Sequence, residues 1–307
     1  PTLACAKMIS LLATASSALI VSPSARTAAA HRCGEARMQV APGTKLLVIG
    51  GNGYVGREVC KNAVQMGYAV TSLSRRGECP DASDPLLSQV EWRAGNALDK
   101  PTIKEAVGNA DAVVHAIGLL FDVDSGLTFL NTFTSYSQSK PDASESTYDR
   151  ITRETAFNVI DAVQGDMTKL PPPLGSPTPL AFISCAEAGW PDVQFGDRVE
   201  AVAPEWLVRY LAAKRAVESK LMGSGKLRPI MFRPSLIWSW DKFDVLPVIP
   251  VFNIASALGV PFVDKTIRVE VLGKAIVAGL ADESVRGVQR FPEMERLAQD
   301  LELPAGA

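Results

Sequence analysis

The sequence predicts an α/β protein built as a doubly wound parallel sheet, and three observations carry that expectation. Short, continuously apolar runs alternate with helical stripes from Lys45 onward, as when strands buried on both faces are joined by the helices that cover those faces. The first run ends in a dense glycine turn, Gly50-Gly51-Asn52-Gly53-Tyr54-Val55-Gly56. A helical stripe of Val55, Val59, Ala63 and Met66 follows at once, so the glycines lie between strand and helix, the context in which such a turn binds a phosphate.

The elements read in order. Strands over residues 46–49, 69–73, 90–93 and 112–116, with helices over 55–66 and 102–107, build the first half of the sheet. A long helix over 146–163, a strand over 180–184, a helix over 205–222 and a strand over 228–232 build the second. Residues 121–145, rich in Ser, Thr, Asp and Gly, are too long for an ordinary connection and read as a functional loop or a disordered insert. The proline-rich segment 165–179 reads as an exposed connector. Beyond Trp240 an apolar run over 245–263 is interrupted by Pro247, Pro250 and Pro261, which argues against a regular spanning helix. It suits a core or lid segment, the wall of an apolar substrate pocket, or a membrane-surface contact. The expected organisation is a leader over 1–43, a dinucleotide-binding domain over 44–240 and a small C-terminal substrate lobe over 241–307.

Composition narrows the function. The chain has 307 residues, 47% hydrophobic and 21% charged, with a formal net charge of −2. That balance gives no electrostatic footprint for nucleic acid, which is not expected as a partner. Cys5, Cys33, Cys60, Cys79 and Cys185 are scattered without a C-x-x-C pair, as suits a reducing compartment. With only His31 and His115, neither a zinc site nor a Ser/His/Asp hydrolase is expected. Residues 1–43 are rich in Ala and Ser, carry Lys7, Arg26, Arg32 and Arg37 and contain one acid, Glu35, the composition of an organelle-targeting segment. The apolar stretch 8–21 is shorter than the about 20 residues a membrane span needs, so no transmembrane span is expected.

The glycine turn carries the firmest chemistry. Gly50 permits a tight turn off a buried strand, Gly53 lets backbone N–H groups approach a pyrophosphate, and Gly56 lets the helix pack against the strand. Gly51, Asn52, Tyr54 and Val55 complete this cofactor cradle, where the helix N-terminus supplies partial positive charge. At the end of the second strand an acid would bond a ribose 2′-OH. The chain has Ser74-Arg75-Arg76 there, and an arginine can pair with a 2′-phosphate. NADP(H) is therefore expected over NAD(H). Asn96 and Ala97 are placed to contact the adenine, and His115, Ala116 and Gly118 to run past the cofactor ribose, His115 as a hydrogen-bonded structural residue rather than a base.

Tyr210 and Lys214 form Y-x-x-x-K on a helix, a spacing that puts both on one face. An ammonium beside the phenol would depress its pKa, so that Tyr210 could pass a proton to or from a substrate oxygen. Ser184 ends the preceding strand, where its hydroxyl could hold a substrate carbonyl. Arg233-Pro234-Ser235 ends the next, with Pro234 expected at the cofactor. All lie at the carboxyl ends of strands, where ligands bind in this architecture.

Several separated motifs in order resemble those of the atypical short-chain dehydrogenase/reductase (SDR) family with its Rossmann fold: the strand into the glycine turn, "VTSLSRRG" over 70–77, Val114-His115-Ala116-Ile117-Gly118-Leu119-Leu120, "TYDRITRETAFNVIDA" over 147–162 and "YLAAKRAVE" over 210–218. The likeness extends over 267–287 into "DESVRG", and so covers nearly the whole chain from Lys45 to Leu297. That group includes the dinucleotide-binding accessory subunit of respiratory complex I and a mitochondrial protein associated with coenzyme Q biosynthesis, the latter being more similar. The resemblance implies an NADP(H)-binding protein on the matrix side of the mitochondrion, linked to quinone synthesis or to a membrane-associated respiratory complex, with a plastid relative keeping the other organelle open. Two functions follow: an oxidoreductase acting on an apolar carbonyl or quinone-like substrate, or a non-catalytic accessory protein. Ser235 departs from the group, which often has glycine after Arg-Pro.

Overall fold

The computed structural model describes residues 40–41, 43–108, 110–119, 147–166, 175–240, 249–260 and 262–301. The leader, the insert over 121–145 and the middle of the proline-rich connector lie outside the described residues. A seven-stranded parallel sheet organises the rest. It is formed by β1 (Lys45–Ile49), β2 (Ala69–Ser74), β3 (Glu91–Ala94), β4 (Ala112–His115), β5 (Thr178–Ile183), β6 (Leu227–Phe232) and a late strand, Gly287–Gln289. The first six lie in the order β3-β2-β1-β4-β5-β6, with the late strand beyond β6.

The alternation of β1 shows why the sheet is covered on both faces. Leu46 and Val48 pack into one core layer with Val59, Cys60 and Ala63 of helix α1 (Tyr54–Gln65). Leu47 and Ile49 pack into the other with Ile103 and Val107 of α2 (Lys100–Gly108) and Val159, Ile160 and Val163 of α3 (Thr155–Gly165). All four β1 side chains are buried, and each contributes about 1.5–3 kcal/mol relative to exposure. A run that is apolar at every position is what two-sided burial requires.

Three boundaries differ from the expectation. The helix expected over 146–163 begins as a π-helical segment, Asp149–Glu154, before α3. Strand β5 starts at Thr178 and includes Pro179, so the connector ends earlier. The segment from residue 241, expected as a small lobe packed on the dinucleotide-binding domain, also supplies the outermost strand beside β6. Helix α4 (Gly196–Ala201) and helix α5 (Glu205–Met222) precede β6 as the chain passes to the second half. A small ribbon, β7 (Ile237–Trp238) paired with β8 (Ile267–Arg268), flanks helix α6 (Ile249–Ala257). The chain then re-enters the main fold as α7 (Val269–Ala281), β9 (Gly287–Gln289) and α8 (Phe291–Asp300).

Two contacts bring the C-terminal segment in. Gly273 of α7 faces Glu58 of α1 so closely that a Cβ there would lie 2.9 Å from the Glu58 Cβ. Arg228, buried on β6, donates to the carbonyls of Gly279, Leu280, Asp282 and Val285. It thus satisfies the C-terminal end of α7, whose last carbonyls have no partners within the helix.

Candidate functional site

Parallel register aligns the carboxyl ends of the strands in one row. Ile49 pairs with Leu73 on one side and His115 on the other, and His115 with Phe182. Between β1 and β4 the strand order reverses, the switch point at which open parallel sheets bind their ligands. The glycine turn and residues 116–118 line that crevice from its two sides. A Cβ on Gly50 would lie 3.0 Å from Ile117 Cγ1 and 3.3 Å from the Ala116 carbonyl.

Each turn glycine has a separate steric cause. Gly50 adopts φ +87°, left-handed backbone that disfavours a side chain, and its N–H donates to the Leu73 carbonyl at 2.8 Å. A Cβ on Gly51 would overlap the Ser72 hydroxyl, and one on Gly56 would overlap the Gly50 carbonyl. Gly53 caps α1 without a side chain, and its N–H donates to the Gly50 carbonyl at 3.0 Å. The amides of the first helical turn, with Val55 and Gly56 among them, cannot be paired inside the helix. They face the crevice end of α1 behind buried Asn52 and half-buried Tyr54. This cradle fits the diphosphate of a dinucleotide: amides and the positive end of the helix, with no side chain of Gly53 in the way.

Past β2, Ser74 is buried and its hydroxyl accepts from the Gly77 amide at 3.2 Å, while Arg75 and Arg76 are exposed. Asn96 is exposed and turns its carbonyl oxygen to the Leu98 amide. Ala97 is buried, and its carbonyl accepts from Asn158 of α3.

His115 is 1% exposed, and its Nε2 lies 2.9 Å from the Thr155 hydroxyl. Thr155 donates its own proton to the Ile151 carbonyl. Nε2 must therefore be the donor, which leaves Nδ1 as an acceptor with no partner among the described residues. Burial, reinforced by the charge of Lys214, lowers the imidazole pKa to about 3, so the ring is neutral at any physiological pH.

Lys214 is the buried cation of the site. It is 2% exposed, donates to the Ile183 carbonyl at 2.7 Å, and lies 4.0 Å from where a Gly118 Cβ would stand. Burial lowers its pKa to about 8, against the partial support of Cys185 and Glu218. Its ammonium also sits 5.5 Å from the Tyr210 ring centroid and 4.9 Å from that of Phe182. The Tyr210 phenol is pushed well above its ordinary pKa by burial first, and then by Cys185 and Glu187. Its ring packs edge-on against Tyr148 at 5.5 Å. Ser184 is buried, and its hydroxyl has no partner among the described residues. Pro234 presents its carbonyl to the Ala186 amide at 2.8 Å, and Arg233 forms a two-pronged ion pair with Glu218.

Tyr210, Lys214, Ser184, His115 and Gly118 therefore share one neighbourhood, and the turn glycines line the crevice beside it. Four residues join them that sequence reasoning missed: Tyr148, Thr155, Cys185 and Glu187. Cys185 directly follows Ser184 and Tyr148 lies inside the "TYDRIT" segment, but only the tertiary fold brings either to Tyr210.

The seven-stranded parallel sheet and the glycine turn at its switch point together define a Rossmann-like fold. Residues 46–135 match the NAD dependent epimerase/dehydratase family. A yeast protein (Saccharomyces cerevisiae), "MIOREX complex component 2", is 25% identical over 224 residues, 66% of this chain and 76% of its own. An uncharacterized chloroplastic protein of Arabidopsis thaliana is 40% identical over 74 residues, 24% of each chain. Among solved structures, ElxO with NADP bound superposes with a TM-score of 0.54 at 14% identity, over 81% of this chain and 96% of that one, a likeness of fold.

Proposed function

We propose that the protein is an organellar NADP(H)-dependent oxidoreductase acting on an apolar carbonyl or quinone-like substrate, with Tyr210, Lys214 and Ser184 as its catalytic residues. The observation that carries this reading is the position of Lys214, a buried cation between the Ile183 carbonyl and Gly118, on the same helix face as Tyr210. A nicotinamide nucleotide, when bound, supplies or accepts the hydride. The Gly50–Gly56 amides hold its diphosphate, and Arg75 and Arg76 recognise a 2′-phosphate, the basis for NADP(H) over NAD(H). Asn96, Ala97, Ala116, Gly118 and Pro234 form the remaining walls of the cofactor site. The free Ser184 hydroxyl donates to the substrate oxygen, Tyr210 transfers its proton to that oxygen, and Lys214 holds positive charge nearby. Tyr210→Phe is expected to abolish NADPH-dependent turnover of a short-tailed quinone while NADPH still binds. Unchanged turnover overturns the acid role of Tyr210.

A second reading is favoured by the phenol's environment and by the name of the yeast relative. Burial, Cys185 and Glu187 all keep Tyr210 protonated, which suits a dinucleotide-binding accessory member of an organellar complex. In that case a Tyr210→Phe/Lys214→Met protein that folds and binds NADPH restores growth to cells lacking the wild type. The leader composition, the motif resemblance and the chloroplastic relative support an organelle. The matrix side of the mitochondrion is the proposed location, with the plastid as the alternative.

A further inference from the structure

Behind Tyr210 the chain builds a second polar layer. Strand β5 ends at Ile183 and runs through Ser184 and Cys185 into a 3-10 turn, Ala186–Asp192. Arg215, the residue after Lys214 on α5, clamps that turn to the helix: it donates to the Ala188 carbonyl at 2.9 Å and the Glu187 carbonyl at 3.4 Å. Arg215 is itself fixed by a two-pronged ion pair with Glu200, both bonds 2.7 Å long. Cys185 is buried and packs with Ala188, Trp190 and Leu211, against which Tyr210 also rests. So held, its sulfur lies between two proton-bearing groups: the Tyr210 phenol donates to it, and its S–H donates to the Glu187 carboxylate. Glu187 is in turn within electrostatic reach of Asp264, whose carboxylate pairs with exposed Arg290 at 2.6 and 3.2 Å. Ala186, Asp264 and Arg290 line a small surface cleft.

We infer that Cys185 and Glu187 form a proton relay that recharges Tyr210 between turnovers, a role that rests on the oxidoreductase reading above. A phenol that gives its proton to a substrate oxygen must regain one before it can act again. Lys214 is badly placed to bring it in: its ammonium is buried and its bond ends on the Ile183 carbonyl, which has no proton to pass on. A thiol both donates and accepts, and Cys185 touches the phenol on one side and a carboxyl on the other. In the recharging step the Cys185 S–H proton passes to the phenolate oxygen while the carboxylic proton of Glu187 passes to the sulfur. One S–H bond breaks and one forms, no electrons leave the sulfur, and the Glu187 carboxylate takes its next proton from water at the Asp264 cleft. Burial, and then the Asp264 charge, raises the Glu187 pKa, so this acid keeps its proton to higher pH than an ordinary carboxyl. Burial first pushes the Cys185 thiol up to about 12, which keeps the sulfur protonated between transfers. Both act through Tyr210 and are positioning residues.

The test is stopped-flow oxidation of NADPH by the full chain with a short-tailed quinone, which separates the first turnover from the steady rate. In Cys185→Ala the phenol starts protonated, so a burst of one NADPH per chain should precede a steady rate at least about tenfold below that of the wild type. Glu187→Gln, which cannot pass a carboxylic proton, should show the same burst. Cys185→Ser should recover most of the steady rate, because a hydroxyl also takes and gives a proton. Thermal unfolding and NADPH affinity verify that each variant is folded, and Glu187→Gln and Cys185→Ser carry the test if Cys185→Ala is not. A first turnover slowed as much as the steady rate, or a steady rate equal to that of the wild type, overturns the relay while Tyr210→Phe remains inactive. Wild-type turnover in Tyr210→Phe instead removes the acid role of Tyr210, and the relay with it.

Discussion

The two sides of the crevice are built on different principles. On the side of β1 and β2, geometry is set by what is absent: Gly50, Gly51 and Gly56 each stand where a Cβ would strike the Ile117 side chain, the Ser72 hydroxyl or the Gly50 carbonyl. On the side of β5 and α5, geometry is set by what is present: Lys214 on the Ile183 carbonyl, His115 on Thr155, and Tyr210 among Tyr148, Cys185 and Glu187. The first side works through backbone sterics and tolerates almost no substitution. The second works through burial and charge, so its variants should fold and change in rate or pH response.

The largest expected effect lies on the steric side. Gly56→Ala drives a methyl into the Gly50 carbonyl and the Gly51 Cα; it should remove NADPH binding by calorimetry and cost about 3 kcal/mol in denaturant unfolding. If it binds NADPH like the wild type, the contrast between the two sides fails. Next is Lys214→Ala, expected to fold and to lower turnover about a hundredfold or more. Because its pKa is held down to about 8, a step that needs the ammonium should fade as pH rises through about 8, and Lys214→Arg should flatten that limb of the rate profile. Arg75→Ala, alone or with Arg76→Ala, should weaken NADPH about ten- to a hundredfold, the loss of a charge-assisted bond, and leave NADH unchanged. Equal losses for both nucleotides would assign these arginines to something other than the 2′-phosphate.

The smallest effect is at His115. Its folded pKa of about 3 lies below the unfolded value of 6.5, so unfolding takes up a proton between those limits. The stability it contributes is complete above pH 6.5 and declines as pH falls toward 3. His115→Phe should flatten that decline in a series of thermal melts at stepped pH.

The same division explains how much could be read in advance. A glycine turn is local: strand, glycines and helical stripe are contiguous, and the steric reason for each glycine acts within a few residues or on the next strand. The sheet was legible for the same reason, since β1 and β4 are contiguous runs buried on both faces. What escaped was long-range. Residues 287–289 form a three-residue strand too short to leave a pattern, and they join the sheet by pairing with β6, just after the carbonyls that Arg228 collects from 51 to 57 positions away. The π-helical entry to α3 has no sequence mark. Tyr148 meets Tyr210 only because α3 and α5 cover the same face of the sheet. The Y-x-x-x-K spacing predicted that Tyr210 and Lys214 share a helix face, which they do; it could not predict that Lys214 would direct its charge to the Ile183 carbonyl, or that Cys185 and Glu187 would hold the phenol protonated.

The most direct test of the whole account is a calorimetric titration of NADPH and NADH into the purified chain and into Gly56→Ala. Saturable binding of NADPH to the wild type, lost in the variant, is what amides gripping a diphosphate predict. A folded wild type with no affinity for either nucleotide would contradict it.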